Sequence, residues 1–467
     1  MRDIIDDRYF TRNFDYWSKR GISGPKPIVG FGNTLHRFLK QTTSLEIEWI
    51  HKYGPIYGYF EGNRPVLTVA DPELIRNILI TDIDVFNAAK ESNPLFRSKA
   101  HPILSQNLAA MGGRGWRRVH GVVSPTFSPS RMQVIYAHMN RSLDNMAKEL
   151  NSRVSASAGN CTQVEMVLMY DRLAMDIITI SAFGLDVNVW APDGHRNEFV
   201  RNVNVVFAAN WLRMLGSVLL PRWLLVAIGL KHPVLETAND GRNYNDFMDI
   251  VLRHKLNETN AESKSSDANY ITENEILANS WVFFNSGCKI VSSALSFATY
   301  ELARNQRIQQ TLYEEIAAAV APDGHIGMDA LNKLPFLEAV VSESLRLHTV
   351  SIRIRRMADR DYRLGDTGIT IEKGHTVDIP VHAMHHYEPY YPNYQHPKPY
   401  AYIPFSEGNR VCLAKRYSLL EIKTTLAKLV RRYRFYTTDN TDIPVCLVSS
   451  LFHHSPQRMV LGVEKRV

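Results

Sequence analysis

The stretch Phe405, Ser406, Glu407, Gly408, Asn409, Arg410, Val411, Cys412, Leu413, Ala414 gathers residue types that suit a soft metal centre. A cysteine thiolate is a strong, soft ligand for iron. Two neighbours should favour thiolate over thiol at Cys412. The helical pattern beginning near Leu413 aims its partial positive charge at the sulfur, and Arg410 adds a formal one. Gly408 lets the backbone turn and approach a flat cofactor closely. Phe405 can shield the sulfur from water, which tunes the potential of a bound metal. A lone cysteine at a helix start is more often an inert small hydrophobe, so the whole string carries the reading.

Other residues with chemical potential are spread along the chain. Glu343 and Arg346 stand at i, i+3, neighbours on one helix face. Trp116 and His120 share a face in the same way, although Trp116 alone would pass for a core aromatic. His385 and His386 form a doublet that reads as solvent-facing or capping rather than metal-binding. Thr272 and Glu275 form a capping box, and the pattern after them runs without a breaker to about Arg304.

The string Phe405-x-x-Gly408-x-Arg410-x-Cys412-x-Ala414 resembles the haem-thiolate signature of the cytochrome P450 family. Ala414 stands where many members carry Gly, and Ser406 and Asn409 replace the commoner Gly and Pro. The resemblance extends from about Gly21 to the end and is closest to animal microsomal members. It implies a mainly α fold with small β-sheets, and haem b held between the long helix I and the Cys412 loop. Cys412 then becomes the axial iron ligand. Trp116, His120 (where the family has Arg), Arg353, Phe405, Gly408 and Arg410 become haem contacts, with Arg353 on a propionate. Glu343 and Arg346 match the family's Glu-x-x-Arg brace. Its third member, an Arg, is missing between His385 and Arg410, so the segment before Pro404 is expected to be shortened. On helix I, Ser286 and Gly287 fall at the family's Ala-Gly, whereas Lys289 and Ile290 replace its acid and Thr.

Bulk properties set the frame. The chain has 467 residues, 45% of them hydrophobic, and a net charge of +7. The positive charges are scattered, so nucleic acid is not implied, and an acidic protein or an anionic membrane suits them as well. Four cysteines without a Cys-x-x-Cys pair argue against a disulfide framework or a zinc site. Residues 1–20 form a polar segment without an apolar run of anchor length, and 21–467 are expected to be one catalytic domain. Residues 56–69 read as a hairpin around Gly62-Asn63, and Asp71-Pro72 as a helix start. Residues 211–230 are strongly apolar but broken by Pro221, which suits either a buried helix pair or a surface dipping into a bilayer. Residues 257–269 read as a solvated loop. After Cys412, Leu419, Ile422, Leu426, Leu429 and Tyr433 mark one apolar helix face. Lys415, Lys423 and Lys428 are candidates for docking an acidic electron donor.

The resemblance leaves two activities open. One is a monooxygenase acting on an apolar lipid, steroid or xenobiotic with O2. Its electrons come from an NADPH-dependent reductase, with cytochrome b5 as a further candidate donor, on the cytoplasmic face of the endoplasmic reticulum. The other is a thromboxane-synthase-like isomerase or dehydratase of a lipid peroxide, which needs no external electrons and which Ile290 favours. A degenerate haem binder is a third, non-enzymatic reading.

Overall fold

The computed structural model describes residues 11–86, 103–157, 161–191, 270–322, 324, 326–391, 398–448 and 453–466. The apolar run 211–230, the loop 257–269 and the start of the shortened segment, 392–397, lie outside these residues.

Helices dominate. Among the described residues, the α-helices of five or more residues are α1 (Thr34–Leu39), α2 (Thr42–Tyr53), α3 (Pro72–Arg76), α4 (Gly113–Val123), α5 (Pro129–Ser155), α6 (Met166–Phe183), α7 (Glu273–Asn285), α8 (Val291–Arg304), α9 (Gln306–Ala318), α10 (Pro335–Leu347), α11 (Val381–His385) and α12 (Lys415–Arg432). Their starts follow local chemistry. Asp71 accepts from the amides of Glu73 and Leu74, with Pro72 at the first helical position. Thr272 and Glu275 make both bonds of the capping box. These bonds satisfy amide groups that a helix start would otherwise leave unpaired.

The strands are β1 (Ile56–Glu61), β2 (Arg64–Val69), β3 (Cys161–Glu165), β4 (Ile354–Met357), β5 (Tyr362–Arg363), β6 (Thr370–Ile371), β7 (Thr376–Ile379), β8 (Tyr433–Tyr436) and β9 (Val460–Lys465). One sheet has the order β1-β2-β7-β4, with β2 and β7 parallel, and a second has the order β3-β9-β8. The hairpin turns at Gly62, in the left-handed region at φ 61. Residues before Gly21 join the fold: Trp17 is buried and donates from Nε1 to the Tyr59 carbonyl.

Two large apolar clusters result, one around the first sheet and one around α8. Every residue of α8 except Glu301 and Arg304 is buried. A helix buried all round must satisfy its hydroxyls internally, and back-bonding to its own carbonyls does so. Ser296 donates to the Ser292 carbonyl, and Thr299 to that of Leu295.

The unbroken α-helix expected from Thr272 to Arg304 is interrupted. A π-turn at Ser286–Ile290 separates α7 from α8. Such single-turn expansions are costly and concentrate at functional sites.

Two surface expectations also change. His385 is fully buried: its ring contacts the Thr349 hydroxyl at 2.5 Å and accepts the Ile403 amide, pinning the end of α10 to the chain before Pro404. Lys423 is buried against Glu338, and Lys428 bonds Asp144 at 2.9 Å. Burial of nearly the whole girth of α12 takes these two lysines out of any docking face, and only Lys415 of the expected three lacks such a partner among the described residues.

The first sheet also carries a buried charge network. Arg353 bonds Glu46 at 2.6 Å and Arg355 bonds Asp378 at 2.6 Å. Arg37 reaches Glu46 at 3.1 Å, while Tyr59 donates to Asp378. Burial raises the carboxyl of Asp378, but Arg355, Arg353 and Arg37 together hold it well below the usual carboxylate range.

Candidate functional site

The cysteine loop is a tight, self-bonded turn. The Cys412 amide donates to the Phe405 carbonyl at 2.9 Å, and the Val411 amide to that of Gly408 at 3.1 Å. Gly408–Arg410 forms one 3-10 turn, and α12 begins directly after Ala414. Gly408 has φ 73, and a Cβ there would lie 2.0 Å from the Leu79 carbonyl oxygen. A close approach of backbone to the turn Asn77–Thr81 is thus sufficient to require glycine here. Ser406 also lies in the left-handed region, at φ 63. A glycine is more comfortable there, so this departure from the family's commoner residue is locally strained.

Cys412 itself is exposed. Its thiol is nonetheless pushed above the ordinary value, because crowding by protein outweighs the Ala414 amide and the Lys415 charge. The expected thiolate bias from Arg410 is not what the structure provides. The helix end contributes as expected, but the nearby formal charge is that of Lys415. A metal ion bound at Cys412 would remove the proton, as coordination does for ligating thiols generally.

Arg410 turns elsewhere. Its guanidinium sits 4.0 Å above the Trp116 ring, a cation–π arrangement. On α4, Trp116 and His120 have ring centroids 4.6 Å apart, as the i, i+4 spacing requires. Burial, and then Arg410, hold His120 below its usual value, so the imidazole is neutral at pH 7 and can donate one hydrogen bond.

The other cation at this locus is Arg356. It is 9% exposed, and burial drops it to about 10. It reaches the Arg355 carbonyl at 2.9 Å and the Ser406 hydroxyl weakly at 3.5 Å, while its Nε has no partner. Arg410 falls to about 10 through burial and then the repulsion of Arg356. Among the described residues no carboxylate bonds Arg356. Burying a charge without a partner is expensive, so this geometry calls for an anionic ligand.

Strand alternation explains why Arg356 and not Arg353 is available. Along β4 successive side chains point to opposite faces. Arg353 and Arg355 share the face that meets Glu46, Glu61 and Asp378, and Arg356 points the other way. The parity of positions 353, 355 and 356, read together with the acids, is the signal that sequence reasoning missed.

At the π-turn Ser286 is exposed and Gly287 is buried. A Cβ on Gly287 would meet Ile178 of α6 at 2.6 Å, so this glycine serves helix packing. Lys289 is turned into an ion pair with Asp171 of α6 at 2.9 Å, and Ser292 bonds the same carboxylate at 2.5 Å. Trp116, Ile290, Phe405 and Leu413 all pack on the same apolar cluster as α8, so the candidate residues of α4, the π-turn and the cysteine loop converge there. The brace is present as well: Arg346 holds Glu343 with two bonds at 2.8 and 2.7 Å and donates to the His385 carbonyl at 2.8 Å, which serves as a third partner.

An exposed cysteine at a helix start, with buried Arg356, bonded by no carboxylate among the described residues, and half-buried Arg410 at the same locus, offers a thiol and two cations to an anionic cofactor. The comparisons with known proteins agree. The family model described as Cytochrome P450 matches residues 22–461, so the chain belongs to the cytochrome P450 family. Cytochrome P450 3A15 of Cavia porcellus is 29% identical over 489 residues, spanning 98% of this chain and 94% of that relative. Cytochrome P450 3A2 of Rattus norvegicus is 28% identical over 493 residues with the same shares. The chain is thus a haem b monooxygenase of this family. The residues present fit haem, since buried Arg356 has an unpartnered Nε and no carboxylate bonded to it among the described residues, and a propionate would supply that anion. Among the described residues no three His, Cys, Asp or Glu side chains gather around a point, and no helix is long and apolar enough to cross a membrane.

Proposed function

We propose that the chain oxidises an apolar small molecule, such as a lipid, steroid or xenobiotic, with O2 and electrons from an NADPH-dependent reductase. Haem b, when bound, supplies the oxygen chemistry. Cys412 would ligate its iron, and Arg356 and Arg410 would take the propionates, with Trp116 and neutral His120 as hydrogen-bond donors. Arg356 replaces Arg353 in this role because Arg353 already neutralises Glu46. Buried Arg356, bonded by no carboxylate among the described residues, beside the exposed Cys412 carries this reading. Likeness to microsomal members supports an endoplasmic reticulum location.

One observation favours the peroxide-rearranging alternative. Proton delivery by a placed group is typically worth about 10²–10⁴-fold. Ile290 has no hydroxyl, and Lys289 is committed to Asp171. A peroxide substrate brings both oxygens with it and makes less use of such a relay. Cys412→Ser tests the site: the variant should hold little haem, or lose the thiolate signature of its reduced carbon-monoxide spectrum, and an unchanged spectrum would sink the assignment. Turnover of a lipid hydroperoxide panel with and without reductase separates the two activities.

A further inference from the structure

The C-terminal end of α12 and the end of β9 enclose a pocket of about 310 Å³, lined by Asn151, Gly324, Arg431, Arg432, Lys465 and Arg466. Four of these six residues are cationic. Arg431 and Arg466 are held in place by backbone and neutral groups. The Arg466 amide donates to the Arg432 carbonyl at 2.9 Å, and Arg431 donates to the Gly324 carbonyl at 2.5 Å. The Arg466 guanidinium lies 4.2 Å above the Tyr313 ring and donates to Gln310 at 3.2 Å. Asn151 is fixed by the Tyr433 hydroxyl, which donates to it at 2.9 Å.

The acids available do not balance these charges. Asp144 reaches Arg432 at 3.4 Å, but it also serves Lys428 at 2.9 Å. Glu464 approaches Arg434 at 4.0 Å, and its charge also acts on Arg466. Capping of the α12 carbonyls is a sufficient reason for one or two of the cations, since a helix C-terminus carries roughly half a negative charge. After Asp144, that half charge and Glu464, which Arg434 shares, are counted, roughly two positive charges remain around one concavity. Burial holds Arg466 below its usual value, with Arg434 adding repulsion against the opposing pull of Tyr313 and Glu464.

We propose that this pocket binds a compact organic polyphosphate. The volume is at the lower end for small-molecule sites, and guanidinium forks match phosphate oxygens in pairs. A phosphoinositide headgroup and a free polyphosphate share this chemistry. None of the lining residues belongs to the cofactor site, so binding and haem ligation can be measured separately.

The test uses the full haem-loaded chain at physiological ionic strength, titrated by calorimetry with inositol trisphosphate and by sedimentation with phosphatidylcholine vesicles carrying phosphatidylinositol bisphosphate. Lys465→Gln removes an exposed charge, and Arg431→Gln a fixed one; thermal midpoints of the ligand-free proteins establish that both fold. Each variant should weaken binding by roughly tenfold, with an unchanged haem spectrum. Saturable binding of the soluble probe assigns a free polyphosphate, and binding to vesicles alone assigns a lipid headgroup; either supports the pocket. No saturable binding of either probe by the wild type, or equal affinity of both variants, overturns it.

Discussion

Lys289→Glu, the change that restores the family's acid on the long helix, should by itself weaken the protein. Lys289 Nζ lies 3.1 and 2.9 Å from the two Asp171 oxygens, and the side chains are only 14% and 19% exposed. At about 3 Å and an effective dielectric near 20, two unit charges interact by roughly 5 kcal/mol. Desolvation cancels much of that in the native pair, but losing one partner of a buried pair costs roughly 3–5 kcal/mol. With partial exposure, and with Ser292 still bonded to Asp171, Lys289→Met should cost about 2–3 kcal/mol. Lys289→Glu should cost more, because it sets two carboxylates together. The swap Asp171→Lys with Lys289→Glu should recover a large part of the loss. Urea denaturation of the wild type, Lys289→Glu, Asp171→Lys and the swap gives the coupling energy of the cycle. A Lys289→Glu protein as stable as wild type, or a swap no better than the single change, refutes the reasoning. The same proteins test function. Ile290→Thr in the swap background should raise product formed per reductase electron above wild type, whereas in Lys289→Glu alone instability masks any gain.

Three further outcomes follow from the charges described above. Arg356→Leu should keep the fold and lose haem retention on gel filtration, whereas Arg353→Leu should lower the urea midpoint, by less than the roughly 3–5 kcal/mol of a stranded buried charge, because Arg37 still pairs Glu46. His385 and His454 are both held at about 3 by burial. A folded value below the unfolded one makes stability complete above pH 6.5 and lost as pH falls toward 3, by about 1.4 kcal/mol per pH unit for each ring. The urea midpoint should drop over that window, and less steeply in His454→Phe. Glu421 has the opposite sign: burial raises it to about 8, so its cost grows as pH rises from 4.5 through 8. Glu421→Gln should therefore stabilise the protein at pH 9 and do little at pH 4, as read by thermal melts.

Local signals were legible in the sequence because they are local. The caps at Asp71 and Thr272, the hairpin at Gly62 and the Glu343–Arg346 pair each depend on residues a few positions apart. The cysteine loop was legible as a string, and its resemblance pointed to the right family. What was not legible depended on partners far along the chain. The choice between Arg353 and Arg356 turns on Glu46 and Asp378, and the fate of Lys289 turns on Asp171. The lysines of α12 look solvated by spacing, and only the packing of α5 and α10 against them shows otherwise. The contact of Gly408 with Leu79 was not legible, because nothing near it in sequence announces that neighbour.

The contact between Gly408 and the Leu79 carbonyl has a consequence for the order of events during synthesis. The cysteine loop takes its shape against a turn made near the beginning of the chain, yet it lies near the end. Segments generally fold as they leave the ribosome, N-terminal parts first. The first sheet needs β7, from residues 376–379, before it is complete, and the loop must then close onto the turn Asn77–Thr81. Cofactor capture is thus a late step, after nearly the whole polypeptide has emerged. A truncated chain ending before Cys412 should leave the first sheet formed and the loop's seat vacant, so nascent chains released early would accumulate as pigment-free protein.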